Sequence, residues 1–378
     1  MTLAAPLLRW FDQHRRDLPW RRDPSPYRTL VSEFMLQQTV VATVEPYFRR
    51  FVARFPDFAA LAAAREDDVT ALWSGLGYYA RARNLRRAAI AIVTDHAGAL
   101  PGDEVTLRSL PGVGAYTAAA VAAIAFDRRT FALDGNGVRV LARLFAVTDP
   151  VNRPATRARL TALGQTLVPA TRAGDFNQAI MELGSMICAP RNPACDACPV
   201  RRRCAVVTAG RAPDELPVKE PRAPRQPVAI ACAVVERQGR VLMVRRQPGE
   251  LLAGTWALPS LVVEAGVPAS QVARAAAAQN GIAPATAAPP TFRGSVRHVF
   301  THRDLTAEVF AVAEAARRDG AVAASARGTA RASERRWVSP HELDRLGISS
   351  FARKTLAAGL TLSAELTGGK RDKGPEPA

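Results

Sequence analysis

Apolar residues recur at helical spacing from residue 7 to about residue 187. No stretch in that span alternates with the period of two that marks a half-buried strand. Phe34, Met35, Val41, Val44 and Phe48 form one such series; Leu141, Leu144 and Phe145 form another. The pattern predicts an all-α domain over residues 1–208. It breaks over 209–227, where Pro213, Pro217, Pro221, Pro224 and Pro227 stand among charged residues. That composition predicts a stiff, solvated linker rather than a core element. Beyond it, residues 228–235 and 240–245 are short β-rich runs on either side of Gln238-Gly239, a hairpin signal. Helical spacing returns over 270–279 and strand character over 297–312, which predicts an α+β domain over 228–365. The Ala-, Gly- and Ser-rich stretch 320–331 reads as a loose loop, and 366–378 as a disordered tail.

Composition adds a partner to this picture. A chain of 378 residues exceeds the usual size of one domain, and its formal net charge of +17 predicts a polyanion as its binding partner. Membrane association is not expected, because the longest uninterrupted apolar run, 118–126, falls far short of the roughly 20 residues of a bilayer span. The first 20 residues carry Asp12 and Asp17 and lack a basic start followed by a long apolar stretch, so they do not read as a signal peptide. A reduced, cytoplasmic setting is the expectation.

Cysteine usage narrows the chemistry. Four of the five cysteines, Cys188, Cys195, Cys198 and Cys204, follow the pattern C-x6-C-x2-C-x5-C. Thiols bunched on one short loop of a long chain make a poor disulfide framework and a good metal site. Zinc and an iron–sulfur cubane are both open at this point. Zinc sites usually draw on two close pairs, whereas only one pair here is close, which favours the cluster. Cys232 lies in a strand-like run and reads as a small core residue.

The segment 110–118, Leu-Pro-Gly-Val-Gly-Ala-Tyr-Thr-Ala, sits between two helical stretches. Pro111 cannot continue a helix, and Gly112 and Gly114 permit a tight turn and a close backbone approach. The turn opens an alanine-rich helix, and the amides of such an N-terminus bind phosphate without a basic side chain. Taken alone, the turn equally suits a plain helix–helix connection.

Here a resemblance becomes specific. The turn resembles the hairpin of the helix-hairpin-helix DNA glycosylases, and the cysteine spacing is similar to the iron–sulfur loop of their endonuclease III branch. Ser32-Glu33-Phe34-Met35-Leu36-Gln37-Gln38-Thr39 and the run 75–85, Gly-Leu-Gly-Tyr-Tyr-Ala-Arg-Ala-Arg-Asn-Leu, resemble the MutY-type adenine DNA glycosylases. With the second domain included, the resemblance covers nearly the whole chain. It implies a monomeric enzyme that binds double-stranded DNA and removes adenine paired with 8-oxoguanine or guanine. It also implies a [4Fe-4S] cluster on the four cysteines.

The resemblance also assigns roles. It makes Glu33 the acid that protonates the adenine ring and Asp134 the carboxylate that stabilises the departing sugar, with Tyr116 and Asn136 orienting them. This is the two-carboxylate logic of sugar hydrolysis. Without it, Glu33 would pass for a solvated helix residue and Asp134 for a turn aspartate. Trp20, Arg21 and Gln178 match positions lining the base pocket, and Gln38 and Tyr78 match residues that fill the gap left by an extruded base. Tyr116 stands where the bifunctional relatives carry a Schiff-base lysine, and a phenol cannot form that imine. Base release without strand cleavage follows. The alternatives are a bifunctional glycosylase/lyase and a non-catalytic lesion binder. Arg201, Arg202 and Arg203 read as phosphate contacts. Gly137, where the family places an apolar residue, is expected to loosen the loop bearing Asp134.

Residues 228–365 resemble the family's Nudix-related domain. A hydrolytic Nudix domain needs clustered glutamates on one helix to hold magnesium, and residues 270–281 contain no carboxylate. Recognition rather than hydrolysis is expected of it. Phe300-Thr301-His302 matches the family's Phe-Ser-His loop that contacts 8-oxoguanine, with Thr301 adding a methyl to the hydroxyl.

Overall fold

The computed structural model describes residues 3–221, 223–315 and 334–360. The expected loop at 320–331 and the tail at 366–378 lie outside the described residues. The chain divides into two compact units, Met1–Ala64 with Arg81–Arg222 and Arg65–Ala80 with Ala223–Ala378. This division differs from an unbroken N-terminal domain, because sixteen residues of it group with the C-terminal half.

The helices in chain order are α1 (Ala4–His14), α2 (Pro19–Arg22), α3 (Pro26–Leu36), α4 (Val41–Arg54), α5 (Phe58–Ala63) and α6 (Glu66–Leu72). They continue with α7 (Ala80–Asp95), α8 (Glu104–Ser109), α9 (Ala115–Phe126), α10 (Gly135–Leu144), α11 (Pro154–Leu167), α12 (Ala173–Met186) and α13 (Ala205–Thr208). All but α6 belong to the first unit, whose described residues contain no strand. Its main core joins Leu7 and Phe11 of α1, Leu141 of α10, and Phe176, Ile180 and Leu183 of α12 around Phe131.

Local chemistry sets the helices that matter for the site. Helix α3 starts at Ser25, whose hydroxyl accepts from the Arg28 amide at 3.2 Å, followed by Pro26 with its preset φ. It ends under Arg81, a buried guanidinium that donates to the carbonyls of Phe34 (3.0 Å), Met35 (2.8 Å) and Gln37. Those carbonyls are the ones a helix end leaves without partners. Helix α9 is nearly all alanine on its buried face, so α3 and α12 can both approach it closely.

Between α8 and α9 lies the hairpin. Gly112 has φ +79°, and a Cβ there would stand 2.6 Å from the Cβ of Asn84. Gly112→Ala is therefore expected to cost at least about 2 kcal/mol of stability, from left-handed backbone strain plus the clash. Denaturant unfolding would measure it, and a neutral effect would mean that the hairpin relaxes freely. Gly114 caps α9, whose first turn has neither a side-chain cap nor an acidic residue.

The second unit carries two sheets. One has the order β5-β1-β7-β6, formed by Ser260–Val262, Gln226–Val234, Arg303–Ala311 and Thr291–Val299. Strands β1 and β7 run parallel, and the other pairs are antiparallel. The smaller sheet joins β2 (Glu236–Arg237), β3 (Arg240–Arg245), β4 (Trp256–Ala257) and β8 (Arg335–Val338). Along β1, Ile230, Cys232 and Val234 enter one core, while Ala231, Ala233 and the following Val235 enter another. A strand buried on both faces reads as a continuous apolar run, which is what the sequence carries. Helix α14 (Ala269–Gln279) covers one face and α15 (Ser350–Gly359) the other. Gln238 (φ +49°) and Gly239 (φ +70°) form the expected tight turn between β2 and β3.

Two expectations need correction. The proline-rich segment is not wholly solvated. Leu216 is buried, its carbonyl accepts from Arg143 Nε at 3.0 Å, and Val218 and Glu220 bond back to Val151 and Asn152. Buried Arg143 needs acceptors, and this segment supplies one. Nor does Gly137 loosen its loop. It is buried in the first turn of α10, and its N–H donates to Asp134 Oδ1 at 2.6 Å.

Candidate active site

One large cleft of about 1280 Å3 lies within the helical unit, lined from α2, α3, α9, the cap of α10 and α12. Glu33, Tyr116, Asp134, Asn136, Trp20, Arg21, Gln38, Gly112, Gly114 and Gln178 all line it. Glu33 projects from α3, is 4% exposed, and has no hydrogen-bond partner for Oε2. Burial pushes its pKa up to about 7. The Tyr116 hydroxyl pulls it partway back, the Asp134 charge raises it and the Arg21 charge lowers it. The Tyr116 phenol is itself raised well above its usual value, first by burial and then by the two carboxylates. It therefore stays a neutral hydrogen-bond donor.

Asp134 is placed differently. It is the N-cap of α10, half-buried, with Gly137 N–H on Oδ1 and Asn136 Nδ2 donating to Oδ2 at 3.0 Å. Two donors on its oxygens suit an anion. Asn136 is held in turn by Arg139, whose Nη2 donates to Asn136 Oδ1 at 2.9 Å and to the Gly184 carbonyl at 2.6 Å. Arg139 Nε also reaches the carbonyl of Cys188 at 2.7 Å, linking the cysteine loop to the carboxylate pair. Helix α12 can come this close because position 184 is glycine. A Cβ there would lie 2.5 Å from the Cβ of Asn136.

The third wall is cationic. Arg21 Nε donates to Gln178 Oε1 at 2.7 Å, and the same guanidinium pairs with Glu182, one turn along α12. Glu182 is fully buried and also pairs with Arg16 at 2.6 Å. Trp20 packs edge-on against Phe48, ring centroids 5.3 Å apart. Gln38 is exposed at the cleft, with φ +57°.

Cys188, Cys195, Cys198 and Cys204 line one small cavity with Arg143, Ile187 and Val207. Arg143 donates to Cys188 Sγ at 3.2 Å. Among the described residues no group of three or more His, Cys, Asp or Glu side chains is already arranged as a metal site. Four thiols sharing one cavity beside a guanidinium are the donor chemistry of a thiolate-held metal centre. The arginine triplet forms an exposed turn in this loop, with Arg201 paired to Asp196 at 3.3 Å.

Tyr78 and the Phe300-Thr301-His302 loop are not in the cleft; they belong to the second unit. There the Tyr78 hydroxyl lies 3.4 Å from Thr301 Oγ1, Phe300 stacks edge-on with His298 at 4.7 Å, and His302 is exposed. The segment bearing Tyr78 is fixed to this unit by Tyr79 and Ser74, whose hydroxyls donate to the Ile348 carbonyl at 2.7 and 2.9 Å. Cys232 is buried core, and α14 carries no carboxylate.

Residues 31–165 match the model of the HhH-GPD superfamily of base excision DNA repair proteins, and residues 230–358 match that of the NUDIX domain. An adenine DNA glycosylase of Rattus norvegicus is 39% identical over 360 residues, spanning 81% of this chain and 69% of that protein. This chain belongs to the adenine DNA glycosylases. It is accordingly a glycosylase, a hydrolase of N-glycosyl bonds, that acts in DNA repair. The adenine DNA glycosylase of Mus musculus is 36% identical over 400 residues, or 92% of this chain and 76% of that protein. Among solved structures, a thermostable thymine-DNA glycosylase superposes with a TM-score of 0.50 at 30% identity, covering 55% of this chain and 95% of that one. No helix among the described residues of this glycosylase is long and apolar enough to cross a membrane.

Several residues of the site escape motif reading. Arg16, Arg139, Arg143 and Glu182 all act on named site residues. The one sequence signal was spacing: 178 with 182, and 139 with 143, each share a helix face.

Proposed function

We propose that the cleft receives an adenine extruded from duplex DNA, where it was paired with 8-oxoguanine or guanine, and cuts it from its sugar without breaking the strand. Glu33, protonated, donates to adenine N7. The C1′–N9 bond then breaks with its electron pair going to the base, which leaves neutral. The cationic sugar that remains faces the Asp134 carboxylate, water adds at C1′, and the proton it sheds returns to the carboxylate pair. The product is an abasic site. The observation that carries this reading is the pairing in one cleft of a buried carboxyl with pKa near 7 and a second carboxylate held by two donors.

Gln38 and Tyr78 would fill the vacated stack, and Phe300, Thr301 and His302 would contact the oxidised guanine. Gly112, Gly114 and the α9 amides would hold backbone phosphate, with the arginine triplet of the cysteine loop. Cys188, Cys195, Cys198 and Cys204 would hold a [4Fe-4S] cluster. Bound there, the cluster would stiffen that loop and position it against DNA.

Labelled duplex with adenine opposite 8-oxoguanine, or opposite guanine, tests the proposal. Strand breaks should appear only after alkali. Breaks without alkali would make the enzyme a lyase, and none in either case would make it a binder.

A further inference from the structure

Helix α12 presents Gln178 and Glu182 one turn apart, the first on the cleft and the second fully buried behind it. Glu182 bridges Arg16 and Arg21, and Arg21 donates through Nε to Gln178 Oε1 at 2.7 Å. An arginine can only donate, so the oxygen of the Gln178 amide must face Arg21. Its NH2 is then the end offered to a ligand.

We propose that Glu182, which touches no substrate, is a positioning residue for adenine release: it clamps Arg16 and Arg21 so that Gln178 presents a hydrogen-bond donor to the extruded base. The idea rests on the proposed chemistry of the cleft. A donor at that edge matches a ring nitrogen acceptor such as adenine N1 and opposes the N1–H of guanine, so the clamp also selects the base. Glu182 has a second effect through charge. Burial would raise its pKa, but the two arginines outweigh that and lower it, so it stays anionic and offsets one of their charges. Arg21 from α2, Tyr116 from α9 and Asp134 at the head of α10 are the groups that act on Glu33. Removing the Glu182 charge leaves the cationic side unopposed and favours ionised Glu33.

The test compares the full chain with Glu182→Gln and with the double variant Glu182→Gln, Arg16→Gln, which restores the local charge count. Single-turnover adenine release is followed from pH 5 to 9, and binding to an abasic duplex is measured alongside. In Glu182→Gln the rate should fall on the order of 100-fold through misplacement of Gln178. Its alkaline limb should move to lower pH by roughly half a unit. In the double variant the limb should return while the rate stays low. Abasic-duplex affinity, which needs no base in the cleft, should hold in both and shows that they fold. An unchanged rate and limb in the single variant would overturn the proposal, as would a limb that fails to return in the double. If the unaltered chain releases no adenine, the chemistry proposed for the cleft fails instead.

Discussion

Glu33→Gln is expected to slow adenine release by orders of magnitude while making the protein more stable at neutral pH. A positioned general acid contributes about 10²- to 10⁴-fold, and an amide cannot supply the proton, so single-turnover release should fall by about that factor. The stability effect follows from the same burial. The Glu33 pKa lies near 7 when folded against an ordinary value of 4.5, so the native state holds its proton more tightly than the unfolded chain does. The stability this group contributes is fully present below pH 4.5. It is lost as the pH rises through about 7, by roughly 3 kcal/mol in all. Glutamine has no charge to desolvate, though its amide is left short of partners where Oε2 now has none. A net gain of about 2 kcal/mol, or roughly 5 °C in Tm, is expected above pH 7 and none near pH 4. Melting curves at pH 4 and pH 8 check this. Curves that differ equally at both pH values would mean that Glu33 is not held neutral, and its role as acid would fall with that.

The same residue shows where sequence reasoning reaches its limit. Spacing predicted the helix that carries Glu33, because Leu30, Val31, Phe34 and Met35 bury one side of it. It could not say that the glutamate points inward as well, since one carboxyl among apolar residues is ordinarily the solvated one. That came from resemblance, and the structure then supplied a cause. Strand β1 was legible because a strand buried on both faces leaves an uninterrupted apolar run. The hairpin at Gln238-Gly239 was legible because few residue pairs accept positive φ twice in succession.

What stayed hidden depends on distant partners. Helical periodicity says that a face of α6 is buried but not against what. Asp67 in fact meets Arg245, with Trp256 Nε1 at 3.4 Å, which ties residues 65–80 to the C-terminal half. Leu216 was lost among prolines because composition averages over a segment, and one buried leucine with a bonded carbonyl does not change the average. Glu182 meets Arg21 across 161 positions of sequence, a pairing no local pattern encodes.

Asp134→Asn separates the two jobs of that side chain. As N-cap of α10 it accepts from Gly137, and asparagine caps a helix start about as well as aspartate does. The second bond fares worse. Asn136 is fixed by Arg139 on its oxygen, so its NH2 would face another NH2 at position 134. The expected stability cost is about 1 kcal/mol, the price of one unmade hydrogen bond. Catalysis should lose far more. A neutral amide cannot oppose the positive charge that develops on the sugar, and losing such a preorganised partner costs on the order of 10³-fold, or about 4 kcal/mol of transition-state stabilisation. The Asp134 charge also helps to keep Glu33 protonated, so its removal should draw the alkaline limb of the residual rate to lower pH. Rate, Tm and limb together decide the matter. A variant with a small Tm loss, near-normal release and an unmoved limb would leave Asp134 as a helix cap alone.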